Sequence, residues 1–273
     1  MLLNLEDKGT FIQIGPANLV VNVKKNGKNL KEAEEGCVEK IKEIFAELTM
    51  FKDMLKLKAC YLNLNNKKIP DVIFKTVSSA KFIDEKELTP MSAVAGAVAE
   101  TVLEWIKDKF EYETITVNNG GDIAIDFNDR ISLQVANLKK FLIVNNSIKG
   151  IATSGFGGIS LSKGIADNVT VFAKSASIAD AAATFIANNV RLEKCNSVDY
   201  CFAEEIIDNC DIEGELVVKD IKKISDNEII YALKNGLRYA EKLVNDNKIF
   251  GAILNKGKFY YFTRGLKNFI REV

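Results

Sequence analysis

The chain has 273 residues, 47% of them apolar and 27% charged, with 37 acidic side chains balanced by 37 basic ones. This composition suits a globular protein with a large core, and it gives no ground for expecting nucleic acid or an anionic membrane as a partner. No run approaches the ~18 apolar residues of a membrane span, and the first residues lack a basic segment followed by an apolar core, so a cytoplasmic protein is expected.

Taken in order, Thr10 to Val23 reads as a β-hairpin around Gly15 and Pro16. Leu30 to Lys56 repeats apolar residues at helical spacing, with acids early and lysines late, and predicts one amphipathic helix with a solvated charged face. Val72 to Val77 reads as a strand. Pro90 opens an Ala-rich helix, AVAGAVAETVLEWIKDKF. Thr114–Val117 and Asp122–Phe127 flank Asn118-Asn119-Gly120-Gly121, a strong hairpin signal. Ile131–Val135 and Phe141–Val144 read as further strands.

The stretch from Gly150 to Val190 follows, with a loop from Thr153 to Gly158, a β-branched strand from Val169 to Ala173, and a second Ala-rich helix. Beyond it, Ser197–Ile207 predicts a helix. Ser225–Leu243 predicts an amphipathic helix capped by Ser225 and Glu228. Phe250–Leu254 and Phe259–Thr263 predict a closing hairpin. No linker or low-complexity segment interrupts the chain, so one α+β domain over residues 1–273 is expected.

The chain contains no histidine. That removes Ser-His-Asp and Cys-His catalysis, the usual zinc sites and the commonest neutral-pH base, leaving oxygen donors, lysines, thiols and hard cations such as Mg²⁺. The five cysteines, Cys37, Cys60, Cys195, Cys201 and Cys210, form no CxxC pair and read as reduced structural thiols.

Asp180 and Thr184 lie four apart in the second Ala-rich helix, so a carboxylate and a hydroxyl project from one face. With a backbone carbonyl they make an oxygen platform for Mg²⁺. Two blander readings compete: Ser177 with Asp180 matches a capping box, and Thr184 can bond the carbonyl four residues back. The glycine loop Thr153–Gly158 is either a phosphate cradle or a plain turn.

The ordered segments PMSAVAGAVAE (Pro90–Glu100), VNNGGDI (Val117–Ile123), GIATSG (Gly150–Gly155) and ADNVTVFAKSASIADAAATFIAN (Ala166–Asn188) resemble the ApbE superfamily. The resemblance is closest to its UPF-type branch and centres on residues 90–190. It implies a single intertwined α+β domain with mostly antiparallel sheets and Ala-rich helices packed on them. The family's transferases use Mg²⁺ to cleave FAD and attach FMN to a threonine of a target protein. By the resemblance, Asp180, Thr184 and the carbonyl of Ala93 are the metal ligands. Asn119, Gly120, Gly121 and Asp122, with Thr153, Ser154 and Gly155, line the site for FAD, FMN or another nucleotide-type small molecule.

The family's histidine after the TSG turn has no counterpart, and its A-K-G lysine is replaced by Ala95-Gly96. The resemblance therefore implies a Mg²⁺-dependent flavin-nucleotide site more firmly than it implies FMN transfer. The alternative it leaves is an accessory protein in sulfide assimilation or homocysteine formation, the role tied to the UPF-type branch in methane-producing archaea. A protein partner and a homodimer fit either reading.

Overall fold

The computed structural model describes residues 9–272, apart from 16, 65–67, 129–130, 135–139, 144, 159 and 193–195. Its N-terminal half runs β1 (Thr10–Ile14), β2 (Ala17–Lys25), β3 (Lys28–Asn29), α1 (Lys31–Met50), α2 (Lys52–Leu55), α3 (Asp71–Asp84), α4 (Val94–Lys109), β4 (Thr114–Asn119), β5 (Asp122–Phe127), β6 (Ile131–Gln134) and β7 (Lys140–Ile143). The C-terminal half runs β8 (Gly150–Ser154), β9 (Asn168–Ala173), α5 (Ala176–Asn188), β10 (Val198–Phe202), β11 (Leu216–Ile221), α6 (Asp226–Asn245), β12 (Gly251–Lys256), β13 (Phe259–Phe262) and β14 (Ile270–Glu272).

Nine strands form one antiparallel sheet in the order β1-β2-β4-β5-β8-β9-β12-β13, with β3 beside β2. The pleat sorts its side chains onto two faces. Ala124, Ala152, Val169, Val171, Ala173, Ala252 and Leu254 face the helices. The residues between them, Ile123, Ile125, Phe127, Ile151, Phe172 and Ile253, share the far face with Ile143 of β7 and Ile270 of β14, two strands of the small sheet β14-β7-β6. The helix face uses alanine where α5 crosses β8 and β9, because only small side chains let helix and sheet backbones come this close.

The α+β architecture with its antiparallel sheet is as expected, and four local readings change. The predicted strand at Val72–Val77 belongs to helix α3, whose buried residues Val72, Ile73, Thr76, Val77, Ala80 and Ile83 follow helical spacing over fourteen residues. A short β-branched run cannot show that longer period. The predicted helix at Ser197–Ile207 is instead strand β10 and a single turn at Ala203–Glu205. β10 pairs with β11, a strand not read from the sequence. The long first helix breaks at Phe51 into α1 and α2. Its charged face is not wholly solvated either: Glu34 is fully buried, accepting from the Thr10 hydroxyl at 2.7 Å and the Val23 amide at 3.2 Å and pairing with Lys31.

The capping box of α6 forms as read. The Ser225 amide donates to Glu228 Oε2 at 2.8 Å, and the Glu228 amide donates back to Ser225 Oγ at 3.3 Å. Cys37, Cys60, Cys201 and Cys210 are free thiols. Burial pushes the Cys37 thiol up to about 12, which makes it inert. Cys195 and the predicted strand ends Val135 and Val144 lie outside the described residues.

Candidate functional site

The site is built where the sheet comes apart. β4 and β5 stay paired as far as Asn119 and Asp122, joined by Gly120 and Gly121 at φ +65° and +115°. Side chains rarely adopt such angles, which is why this two-residue turn takes glycines. On the other side, β5 and β8 are paired only at Ala124–Gly150 and Ile123–Ile151. Past that point β8 runs on with β9, out to Ser154 and Val169. The Thr153 amide therefore has no β5 carbonyl to bond and donates to the Asp122 carboxylate at 3.3 Å.

Above this split lie the first turns of α4 and α5. Gly96 is the point of closest approach: a Cβ there would stand 2.3 Å from the Ala176 carbonyl oxygen and 2.9 Å from the Asp180 Cβ. Asp180 Oδ2 accepts from the Gly96 amide at 2.9 Å and also takes the Ala95 amide. These are donors that the start of α4 cannot satisfy internally. Asn119 donates to the Ala95 carbonyl at 3.2 Å, tying the β4–β5 turn to the same helix start.

Glu100 of α4 does the converse for α5. It accepts from the Ser177 amide at 3.1 Å and the Ser177 hydroxyl at 2.7 Å. Burial, opposed by these bonds, raises its pKa.

Neither bland reading of Asp180 and Thr184 describes the geometry. The N-cap of α5 is Ser175, which accepts from the Ile178 amide, so Asp180 does not cap its own helix. The Thr184 hydroxyl makes no hydrogen bond among the described residues and stays half-buried. Asp180 instead faces Asp122. Burial is the main cause holding both carboxyls above their ordinary range, Asp122 at about 7, and the charge of Asp122 pushes Asp180 further up. No lysine or arginine pairs with either among the described residues.

The remaining sequence-predicted residues fall around this pair in different ways. Ala93 is buried immediately before α4. The Gly120 amide is taken by the Asn18 carbonyl, and the Gly121 amide by Asn118 Oδ1 at 2.8 Å. The Thr153 hydroxyl turns to the far face of the sheet and meets the Thr170 hydroxyl at 2.8 Å. Ser154 falls on the helix side of the pleat. Gly155, at φ +154°, packs so close to Asp167 that a Cβ would stand 2.5 Å from its carbonyl oxygen. In the glycine loop, the amides of Phe156 and Gly158 are held by the carbonyls of Ala166 and Gly155.

Sequence reasoning missed Glu100 as a partner of this site. Its position four residues after Gly96, in a helix with small residues on one face, was the available signal.

Two clefts lie away from the acid pair. A groove of about 450 Å³, lined by Cys60, Tyr61, Leu62, Phe74 and Lys81 among others, shares no residue with it. A cleft of about 150 Å³ at the opposite end of β5 is lined by Glu100, Lys107, Asp126, Lys149, Lys174 and Ser175 among others.

Comparison with known proteins matches residues 3–262 to the family described as AbpE bacteria. A UPF0280 protein of Methanosphaera stadtmanae is 36% identical over 141 residues, covering 48% of this chain and 57% of the relative. A UPF0280 protein of Methanocaldococcus jannaschii is 37% identical over 162 residues, covering 55% and 59%. The chain thus spans less than two thirds of the length of these curated relatives. Among solved structures, the flavinyl transferase ApbE of Pseudomonas stutzeri shares the fold at TM-score 0.50 and 12% identity, over 96% of this chain and 98% of that one. The flavin transferase ApbE of Vibrio cholerae does so at TM-score 0.53 and 11% identity, over 95% and 98%. The chain belongs to the ApbE-like family, and its relatives include the UPF0280 proteins.

Proposed function

We propose that the protein binds a flavin nucleotide of the FAD, FMN or AMP type through Mg²⁺ held at Asp180. The observation that carries this reading is the pair of half-buried Asp122 and buried Asp180, near enough for their charges to repel and without a basic partner among the described residues. Such a pair repels an anion and attracts a small hard cation.

The donor set fits that cation. It consists of oxygen only: the Asp180 carboxylate, the Thr184 hydroxyl and the Ala93 carbonyl, with Asp122 alongside. Mg²⁺ bound there would polarise the phosphoryl oxygens of a nucleotide. The amides of the two glycine turns argue in the same direction. Gly120, Gly121, Phe156 and Gly158 already donate within the protein, so they cannot supply a ready-made anion cradle. A nucleotide phosphate then depends on the metal for charge neutralisation, and binding without Mg²⁺ is expected to be weak.

The chain's own part is to orient. The start of α4 fixes Asp180, and Asn119 holds the β4–β5 turn against it. FMN transfer is not part of the proposal, because no histidine is available to take the acceptor's proton. The same lack supports the second reading, an accessory protein in sulfide assimilation or homocysteine formation.

Titration of FAD, FMN and AMP with and without Mg²⁺ against wild type and Asp180→Ala tests the proposal. Flavin binding that requires Mg²⁺ and disappears in the variant supports it, whereas no binding under any condition rejects it and leaves the accessory role. Incubation with FAD and a threonine-bearing target is expected to leave little or no covalent FMN.

A further inference from the structure

Residues 202–216 form an excursion beyond the main sheet with an unusual surface. This stretch holds Glu204, Glu205, Asp208, Asp211, Glu213 and Glu215 and no lysine or arginine, in a chain whose charges otherwise balance. Two of the six acids are used internally: Asp211 accepts from the Thr89 hydroxyl, and Glu215 pairs with Lys58 and Lys163. Glu204 and Glu205 accept from the backbone amides of Gly214 and Phe202, so they brace the excursion while keeping their charge at the surface. Asp208 and Glu213 are exposed, and none of these four makes an ion pair among the described residues.

Large apolar side chains stand among these acids. Phe202 and Leu216 are cross-strand partners at the end of the β10–β11 ribbon, 49% and 52% exposed, on the face that farther along packs Tyr200 and Val218 against the main core. Ile206 and Ile207, 47% and 45% exposed, follow one turn later, their amides both on the Ala203 carbonyl. The opposite face of the same ribbon is covered: Cys201, Ala203 and Val217 pack on Leu161, Cys210 and Ile212. Phe202, Ile206, Ile207 and Leu216 belong to neither this small cluster nor the main core. Leu161 and Ser162, whose carbonyl takes the Val218 amide, join the ribbon to the segment that leaves the glycine loop.

Lys56 reaches in to the Asn209 carbonyl and Oδ1, so acids outnumber this one cation around the four exposed large apolar side chains, the anatomy of an interaction surface with apolar anchors and a charged rim. We infer that this surface docks a protein segment carrying basic residues around apolar anchors. The negative rim disfavours an anionic membrane and disfavours a second copy of the same acidic face. The inference is independent of the nucleotide reading.

The test uses fluorescence anisotropy with a labelled amphipathic helical peptide of Lys and Leu, its Glu/Leu counterpart, and vesicles containing anionic lipid. The Lys/Leu peptide is expected to bind at least about tenfold tighter than the Glu/Leu one, with affinity falling as salt is added. Ile206→Ser with Ile207→Ser is expected to weaken it by about tenfold, and so is Asp208→Asn with Glu213→Gln. All four sites are exposed, so folding is retained, and circular dichroism checks this. Asp180→Ala must keep full peptide binding, which separates this test from the nucleotide one. Equal binding of both peptides, or surface variants that bind like wild type, overturns the inference. So does preference for the vesicles, or self-association in sedimentation that the surface variants abolish.

Discussion

Asp180 and Glu100 terminate each other's helices. Asp180, on α5, takes the amides of Ala95 and Gly96 in the first turn of α4, and Glu100, on α4, takes the amide and hydroxyl of Ser177 in the first turn of α5. Each carboxylate meets the positive end of the other helix. The exchange pins the two helix starts together over the split between β5 and β8.

Asp180 thus has a structural task besides the proposed metal one, and two variants separate them. Asn keeps an oxygen for the amides, so Asp180→Asn is expected to stay close to wild-type stability, while Asp180→Ala loses about 1–2 kcal/mol in denaturant titration. Both should lose Mg²⁺-dependent flavin binding. An Asp180→Asn protein that still binds flavin only with Mg²⁺ would show that the carboxylate is not the metal's anchor.

Glu100 has the structural task alone. Glu100→Ala leaves the Ser177 amide without its partner and is expected to cost about 1–2 kcal/mol. Flavin affinity per folded molecule should change little. A large loss of affinity at unchanged stability would instead place Glu100 in contact with the ligand.

Gly96→Ala is expected to be among the most damaging single-methyl changes in the chain. The added carbon meets backbone, the Ala176 carbonyl oxygen at 2.3 Å, so α4 and α5 must move apart. A destabilisation of about 2–4 kcal/mol is expected, with Mg²⁺-dependent binding impaired in the protein that still folds. A Gly96→Ala protein with the wild-type melting temperature would contradict the close crossing.

Asp126 governs the acid limb of stability. Burial raises its pKa, but Lys107, Lys149 and Tyr112 outweigh burial and hold the carboxyl down at about 2. The folded value lies below the unfolded one, so the stabilisation is complete above about pH 4 and disappears as pH falls toward 2. Allowing for the partly exposed lysines, it amounts to about 1–2 kcal/mol. Asp126→Asn should lower stability at neutral pH and flatten its pH dependence between 4 and 2, as followed by urea unfolding.

The sequence carried some parts of this fold plainly and hid others. Asn119-Gly120-Gly121-Asp122 and Asn255-Lys256-Gly257 announced their hairpins because turn chemistry is local, and the Ser225/Glu228 cap was visible for the same reason. Val72–Val77 and Ser197–Ile207 were misread because packing decided them: α3 is helical over twice the length of its β-branched run, and β10 needs β11 beside it. At the site, Asp180 and Thr184 were conspicuous by spacing. That Asp180 would face Asp122 and hold the amides of α4 depends on contacts more than fifty residues apart in the chain, which no local pattern encodes.

Asp122 and Asp126 sit at the two ends of β5 and point to the same side as Ala124, while Ile123, Ile125 and Phe127 point away. A strand has only two sides, so a slip of one residue would exchange them all. The two acids would be driven into oil and the isoleucines brought against the helix backbones. The Gly120–Gly121 bend therefore works as an alignment key for two distant polar clusters at once, and a single inserted residue there would be felt at both ends of the strand.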